Sequence, residues 1–435
     1  MPSVIVAGGG LAGLAAAAAL AGEGFSVQVF EARPFLGGRA TSYPHVSADG
    51  ESETIDNCQH VLLRCCVNLI DLYRRLGVAE RIAYHREFFF LEPGGRMSRL
   101  RAGMLPAPLH FTESFAGMRC LTLGDKMSLA KGLLTLRHER TSRGDLDSIT
   151  MAQWLEEKRQ TPQAIERFWK QVLVSAINED LDRMAAVHGF QVFWLGFLAS
   201  SQGYEMGVPA VPLGELYGEE SWKRFPNVRF HFRCPVESID PDGVVAGGSR
   251  FQADYYVSCL PFERVATVVP GLPAPPAMDH SPITGIHLWF DRPVTELPHA
   301  VLLDRTVQWM FNKNGGSYLQ LVVSASRSLV PKGRGEVVDL ALAELSEFLP
   351  SVSKAKLTKA HVVKELRATF SARPGLEAER PGNRTQWPNV FLAGDWTRSG
   401  WPATMEGAVR SGYLAAEAIC AAAGQPKMHC LPDIA

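Results

Sequence analysis

The sequence predicts an α/β protein with a Rossmann-type dinucleotide-binding domain and a discontinuous substrate domain of mixed α and β structure. A chain of 435 residues exceeds what one hydrophobic core organises, so two or more domains are expected. Residues 4–7 form a short apolar run, residues 11–20 an alanine-rich helical run, and residues 26–30 a second apolar run. This β-α-β order with a short crossover predicts two adjacent parallel strands.

A glycine-rich turn joins the first strand to the helix. Its pattern is G-x-G-x-x-G, and its glycines are Gly8, Gly10 and Gly13. They allow a tight turn, close approach of the backbone to a pyrophosphate, and close packing of helix on strand. The helix N-terminus at Leu11 and Ala12 presents free N–H groups to phosphates. Glu31 follows the second strand, at the place where an acidic side chain accepts hydrogen bonds from ribose hydroxyls. The segment therefore predicts a bound dinucleotide; a glycine-rich turn without a ligand is the alternative.

Two further segments distinguish between dinucleotides. The first continues from Glu31 into a second glycine-rich turn and comprises Ala32, Arg33, Gly38, Arg39 and Ala40. The second is a strand over 390–393 that ends in Gly394 and Asp395, followed by a helix to about residue 423. A carboxylate in that place suits a ribityl hydroxyl of a flavin, and the alternative is a plain helix N-cap. Together the segments favour FAD over NAD.

The motifs E-A-R-x-x-x-G-G-R-A, A-G-D-W and E-G-A resemble those of the FAD-dependent amine oxidase and phytoene desaturase superfamily. Within it, Ile55 to Gly77 and Trp401 to Ala408 are similar to the squalene-associated FAD-dependent desaturases. This resemblance implies a GR2-like flavoprotein fold with bound FAD. It implies reductive dehydroxylation of hydroxysqualene to squalene, by hydride transfer from reduced flavin to an allylic carbon. Further cofactor contacts are then expected from Gln59, His60, Val236, Thr404 and Met405.

The resemblance and the composition together predict the domain boundaries. The FAD-binding domain is expected to comprise residues 1–60, 226–270 and 386–424. The substrate domain is expected to comprise residues 61–225 and 271–385, with a helical part over about 125–200. Residues 425–435 are expected to form a loose tail.

Dehydroxylation needs an acid, because hydroxide is a poor leaving group. An acid in an apolar pocket has a raised pKa and stays protonated at neutral pH. By resemblance Asp56 and His60 pass beside the isoalloxazine and are the first candidates, with Glu205 and Glu406 next. Each has a structural alternative: Asp56 braces a turn, His60 bonds to backbone, or Glu406 is a carboxylate at a helix N-terminus.

Charge and cysteine usage exclude several other classes of protein. A net charge of -1 gives no general attraction to nucleic acid. None of the eight cysteines forms a C-x-x-C pair and no H-x-x-x-H spacing occurs, so no metal site is expected. Scattered cysteines in a long chain are typical of a reducing compartment, which indicates a cytoplasmic location.

Two apolar segments bear on the partners. Residues 187–198 are predicted to be a core helix, or else to dip into a membrane interface or line an apolar tunnel. Residues 131–143 combine basic side chains with leucines, which fits a solvated helix face or a patch that docks peripherally on an anionic membrane. The resemblance implies a long-chain isoprenoid substrate and an electron donor that the sequence does not identify.

Three other functions remain open at this point. A phytoene-type desaturase or an amine oxidase would use the same cofactor frame, although residues 396–408 lack a cysteine that could bind flavin covalently. A prenyl-binding escort without redox chemistry would carry a decayed cofactor site. The intact glycines, Glu31 and Asp395 argue against that escort.

Overall fold

The computed structural model describes residues 1–46, 50 and 52–434. In chain order the strands are β1 Ser3–Ala7, β2 Ser26–Phe30, β3 Ser42–Val46, β4 Ser52–Asp56, β5 Leu62–Leu63, β6 Ile82–His85, β7 Glu87–Leu91, β8 Met97–Arg101, β9 Met206–Pro209, β10 Val228–His231, β11 Val236–Asp240, β12 Gly243–Ala246, β13 Ser249–Phe251, β14 Tyr255–Ser258, β15 His280–Phe290, β16 His299–Leu302, β17 Trp309–Asn314, β18 Tyr318–Val323, β19 Leu357–Phe370 and β20 Val390–Leu392.

The helices are α1 Leu11–Gly22, α2 Val67–Leu76, α3 Thr112–Gly117, α4 Leu123–Ser142, α5 Met151–Glu157, α6 Pro162–Ala164, α7 Lys170–Ile177, α8 Ala186–Phe193, α9 Leu213–Tyr217, α10 Phe262–Val268, α11 Arg334–Phe348, α12 Leu376–Glu379 and α13 Met405–Ala422. Two π-helical turns, Ile165–Trp169 and Trp194–Leu198, adjoin α7 and α8. Such turns are frequent at functional sites.

The first sheet is parallel, with strand order β10-β2-β1-β14-β20. Its central strands are continuous apolar runs because both faces are covered. Helices α1 and α13 pack closely on each other: a Cβ on Gly412 would lie 2.1 Å from the Ala12 carbonyl oxygen. All five strands come from the three segments assigned to the nucleotide-binding domain, and the predicted α/β Rossmann-type fold is confirmed.

The second large sheet has seven strands in the order β19-β15-β18-β17-β16-β7-β8, antiparallel except for the β16–β7 pair. Alternate side chains of its strands point to opposite faces. One face, with Ile286 and Leu321, packs against α11. The other face, with Trp309 and Val322, borders a cavity.

Helices α4 to α8 lie in the region predicted to be helical. Within residues 187–198, Phe190 and Phe193 are buried core residues, whereas Val192 and Leu195 line the cavity. The core and the tunnel-lining interpretations of this apolar segment therefore both apply, to different side chains of it.

The C-terminal segment differs from the expectation of a loose tail over 425–435. The amide of His429 donates to Glu417 (2.7 Å), and the amide of Leu431 donates to the Asn68 side chain (2.7 Å). Asp433 forms an ion pair with Arg410. The segment is held because polar side chains of α2 and α13 bond its backbone; residue 435 lies outside the described residues.

Candidate active site

The first glycine-rich turn has the geometry of a phosphate cradle. Gly8 has φ +111°, a conformation that favours glycine. A Cβ on Gly13 would lie 2.0 Å from the Gly8 carbonyl oxygen, so only glycine lets the helix approach the strand. No side chain of the described residues caps α1 at Gly10, and its first N–H groups, at Leu11 and Ala12, face this turn.

The Glu31 carboxylate borders the same turn. Its Oε2 accepts from the amide of Gly9 and its Oε1 from the amide of Arg33, both at 2.8 Å. These bonds fix the acid at the end of β2, beside Ala32, with lone pairs left for a further donor. Val236 is buried at the start of β11. The chain just before it is tied to Glu31, because the amide of Cys234 donates to the Glu31 carbonyl oxygen (2.9 Å).

The second glycine-rich turn packs directly on the first. The Arg33 guanidinium donates to the Gly38 carbonyl (2.9 Å), and a Cβ on Gly38 would lie 3.0 Å from the Gly10 Cα. Tyr217 donates to the carbonyl oxygen of Ala40. The two turns thus form one cradle of backbone groups.

Arg39 and Asp395 join the first cofactor segment to the last. Their side chains form an ion pair at 2.5 Å, and Arg39 also donates to the Ala368 carbonyl (3.1 Å). Asp395 is not the N-cap of α13, because Thr404 caps that helix by accepting from the amide of Gly407 (3.0 Å). The alternative interpretation of Asp395 as a plain helix cap is therefore wrong.

Arg380 holds the loop after Gly394 and was not predicted from the sequence. Its guanidinium is fully buried and donates to the carbonyl oxygens of Asp395, Trp396, Thr397 and Trp401. It also forms an ion pair with Glu377. In the sequence Arg380 stands in an E-R-P-G stretch that is typical of an exposed loop.

A cavity of about 250 Å³ lies between the cofactor segments, the helical layer and the seven-stranded sheet. Most of its lining is apolar. Representative residues are Leu63, Phe88, Leu100, Phe197, Trp309 and Val322. Gln59, His60, Thr404 and Met405, which the sequence predicts to contact the cofactor, are also lining residues, and their part of the cavity is called its cofactor end.

His60 is a titratable group that borders the cavity. Its Nε2 lies 3.0 Å from the Asn57 side-chain oxygen, and burial lowers its pKa to about 4. The imidazole is therefore neutral at pH 7. Gln59 accepts a hydrogen bond from Lys313 (3.0 Å), a residue that the sequence analysis did not single out.

Two predicted acids do not line the cavity. The carboxylate of Asp56 accepts from the Ser42 hydroxyl (2.7 Å) and the amide of Leu213 (2.9 Å), so it braces the β3–β4 hairpin. Glu205 forms ion pairs with Arg64 (2.6 Å) and Arg86 (3.1 Å). The assignment of Asp56 and Glu205 as catalytic acids is corrected on these contacts, since each carboxylate is turned to other partners.

Glu406 does border the cavity, but four donors already bind it. It accepts from Asn68 through both amide and side chain, from the amide of Leu69 (2.7 Å) and from Arg410 (2.9 Å). It thereby caps the N-terminus of α2. Burial raises its pKa.

Comparisons with known proteins agree with this geometry. A family model described as flavin containing amine oxidoreductase matches residues 11–420. The 15-cis-phytoene desaturase of Solanum lycopersicum is 26% identical, with 96% of this chain and 77% of that protein covered. The hydroxysqualene dehydroxylase of Rhodopseudomonas palustris is 29% identical, with 97% and 99% covered. The structure of cyclohexylamine oxidase from Brevibacterium oxydans superposes with a TM-score of 0.67 at 19% identity (97% and 99% covered), which concerns the fold alone.

Proposed function

Because the chain belongs to the flavin containing amine oxidoreductase family, it is an FAD-dependent oxidoreductase, and we propose that it converts hydroxysqualene to squalene. The observation that carries the proposal is the apolar cavity that leads from the cofactor segments into the substrate region. Burial of a long hydrocarbon supplies about 25 cal/mol per Å² of apolar surface, so such a cavity selects by shape. The relative from Rhodopseudomonas palustris, of nearly equal length, supports the choice.

The reaction breaks the allylic C–O bond, forms a C–H bond and releases hydroxide as water with one added proton. When bound in its reduced form, FAD supplies the hydride. The cavity walls exclude water and hold the chain of the isoprenoid. Neutral His60, at the cofactor end, is suited to accept a hydrogen bond from the substrate hydroxyl and orient it.

The charge pattern of the cavity disfavours an amine substrate. Among the described lining residues, Glu406 is the sole carboxylate, and Arg410 already pairs with it. A buried ammonium group would therefore lose its hydration without gaining a counter-ion.

Desaturation of a polyene is the second candidate, because the relative from Solanum lycopersicum is a phytoene desaturase of similar identity. An apolar cavity suits either hydrocarbon. The two reactions differ in the direction of electron flow, which an anaerobic experiment separates.

The test uses the purified holoprotein under anaerobic conditions. The flavin is reduced, hydroxysqualene is added, and flavin absorbance and squalene are followed together. Stoichiometric reoxidation with squalene formed is expected. Reoxidation without squalene, or no reoxidation at all, contradicts the proposal, and reduction of the oxidised protein by phytoene would establish the desaturase.

We also propose that this protein takes its substrate from a membrane surface. No helix within the described ranges is long and apolar enough to span a bilayer. Six of the twelve exposed large apolar side chains of the described residues lie within 104–134, and three of the six stand at helical spacing on α4. They are Met104, Leu105, Leu109, Leu123, Met127 and Leu134. Lys131 and Arg137 are exposed on the same helix, which favours an anionic surface. Between turnovers an electron donor must reduce the flavin.

A further inference from the structure

The sheet face beside the cavity changes from apolar to polar near the cofactor segments. Trp309, Phe311 and Lys313 are alternate residues of β17, and the first two line the cavity. Lys313 follows them where the β17–β18 register shifts between Asn312 and Asn314. Its amine lies against Gln59 and close enough to His60 to contribute to the lowering of the His60 pKa. Strand β17 therefore places one amine at the cofactor end of a mostly apolar cavity.

Lys313 is a half-buried amine that forms no ion pair with a carboxylate of the described residues; burial lowers its pKa, and the charge of Asp56 opposes that shift. Its recorded bond is to the neutral side chain of Gln59 (3.0 Å), and among the described residues no carboxylate lies within ion-pair distance. Two of its three N–H donors are thus left for another acceptor. Lysines are rarely buried unless they are paired.

Other polar groups on this face are also unpartnered. Gln320 is fully buried, and neither atom of its amide has a hydrogen-bond partner among the described residues. The Nε2 of His287, paired with Gln320 in the β15–β18 register, is likewise unpartnered. Buried polar atoms without partners are destabilising, so their clustering beside Lys313 indicates a site organised for an added polar group.

We propose that Lys313, held by Gln59, provides the positive charge that stabilises the bound flavin in its reduced state. Reduction adds two electrons and one proton to FAD, which leaves one extra negative charge on it. A buried cation with no carboxylate partner favours that state more than a solvated or paired one, because the interior screens charges weakly. Lys313 acts as a positioning charge for the redox couple, whatever substrate the cavity takes.

The test measures the midpoint potential of bound FAD in the holoprotein without isoprenoid, so its outcome is independent of the proposed reaction. For Lys313→Met we expect the two-electron equilibrium to shift at least tenfold toward oxidised flavin, which lowers the midpoint potential by about 30 mV. The Kd of the flavin for sulfite, which also leaves a negative charge on it, should rise at least tenfold. Lys313→Arg should retain values near wild type.

Lys359→Met is the matched control. Lys359 lies on the adjacent part of the same sheet but is paired with Glu53, so its removal should leave the potential unchanged. If Lys313→Met fails to retain FAD, Gln59→Glu tests the proposal instead. This variant places a carboxylate against Lys313 and should lower the midpoint potential of bound FAD by a similar amount. A wild-type potential in either flavin-loaded variant overturns the proposal.

Discussion

Replacing Arg380 tests whether one buried guanidinium holds the loop that carries Asp395. Arg380→Met removes hydrogen bonds to four carbonyl oxygens and an ion pair to Glu377, whose side chain is 22% exposed. Methionine retains much of the apolar volume but donates nothing. The loop carbonyls then stay buried without a partner, which makes the loss larger than that of a surface ion pair.

The expected loss of stability follows from the typical effect of breaking buried ion pairs and hydrogen bonds. Removing one partner of a buried ion pair destabilises by about 3–5 kcal/mol. Four bonds to a charged donor would sum to more, but bonds that share one side chain are not additive. We therefore expect Arg380→Met to lower the free energy of unfolding by about 4 kcal/mol.

The assay is urea unfolding of wild type and variant, with flavin content measured on the same samples. Arg398→Met is the control, because Arg398 donates to carbonyls of residues 378 and 380 but is exposed. It should change stability by less than about 1 kcal/mol. A loss below 1 kcal/mol in Arg380→Met would refute the reasoning.

Three further predictions concern separate parts of the molecule. Glu31→Ala should release FAD during gel filtration, and an unchanged flavin content would contradict its role as ribose acceptor. Burial lowers the pKa of His188 to about 3, so the unfolded chain binds more protons below pH 6.5 and stability falls as the pH drops. Between pH 7 and 4.5 this loss of stability is about 2–3 kcal/mol. His188→Leu should flatten the pH dependence of the urea midpoint, and an unchanged pH dependence would count against a lowered pKa of His188. Combining Leu123→Asp, Met127→Asp and Leu134→Asp should weaken binding to phosphatidylglycerol vesicles at least tenfold, whereas Val330→Asp on another surface should not; equal binding by the triple variant would exclude this surface.

The nucleotide-binding turn could be predicted from the sequence because its determinants are local. Gly8, Gly13 and Glu31 lie within 24 residues, and each is required by a backbone conformation or a close approach. Lys313 could not be predicted, because its partner Gln59 is 254 residues away and N-K-N-G-G is typical of a solvated turn. Arg380 was missed for the same reason, since its burial depends on a loop that folds back over it.

The acid assignments show a second limit of sequence reasoning. The segment around His60 does reach the cavity, but along a chain neighbouring side chains take different directions. Asp56 therefore points to Ser42 while His60 borders the cavity. Ion pairs such as Glu205 with Arg64 depend on contacts 141 residues apart, which no local pattern encodes.

The placement of charge around the cavity links the proposed reaction to the positioning of Lys313. An entering ammonium would find Glu406 already bound by Arg410. In the proposed reaction, a departing hydroxide or a reduced flavin would gain negative charge near Lys313, which pairs with no carboxylate of the described residues. Coulombic stabilisation is greatest where water is scarce, and the walls of this cavity are mostly apolar. His60, with its lowered pKa, is a neutral imidazole at pH 7, so it can orient a hydroxyl but cannot act as an imidazolium acid. In the proposed reaction, the proton that leaves with hydroxide must therefore enter from another group or from water beside His60.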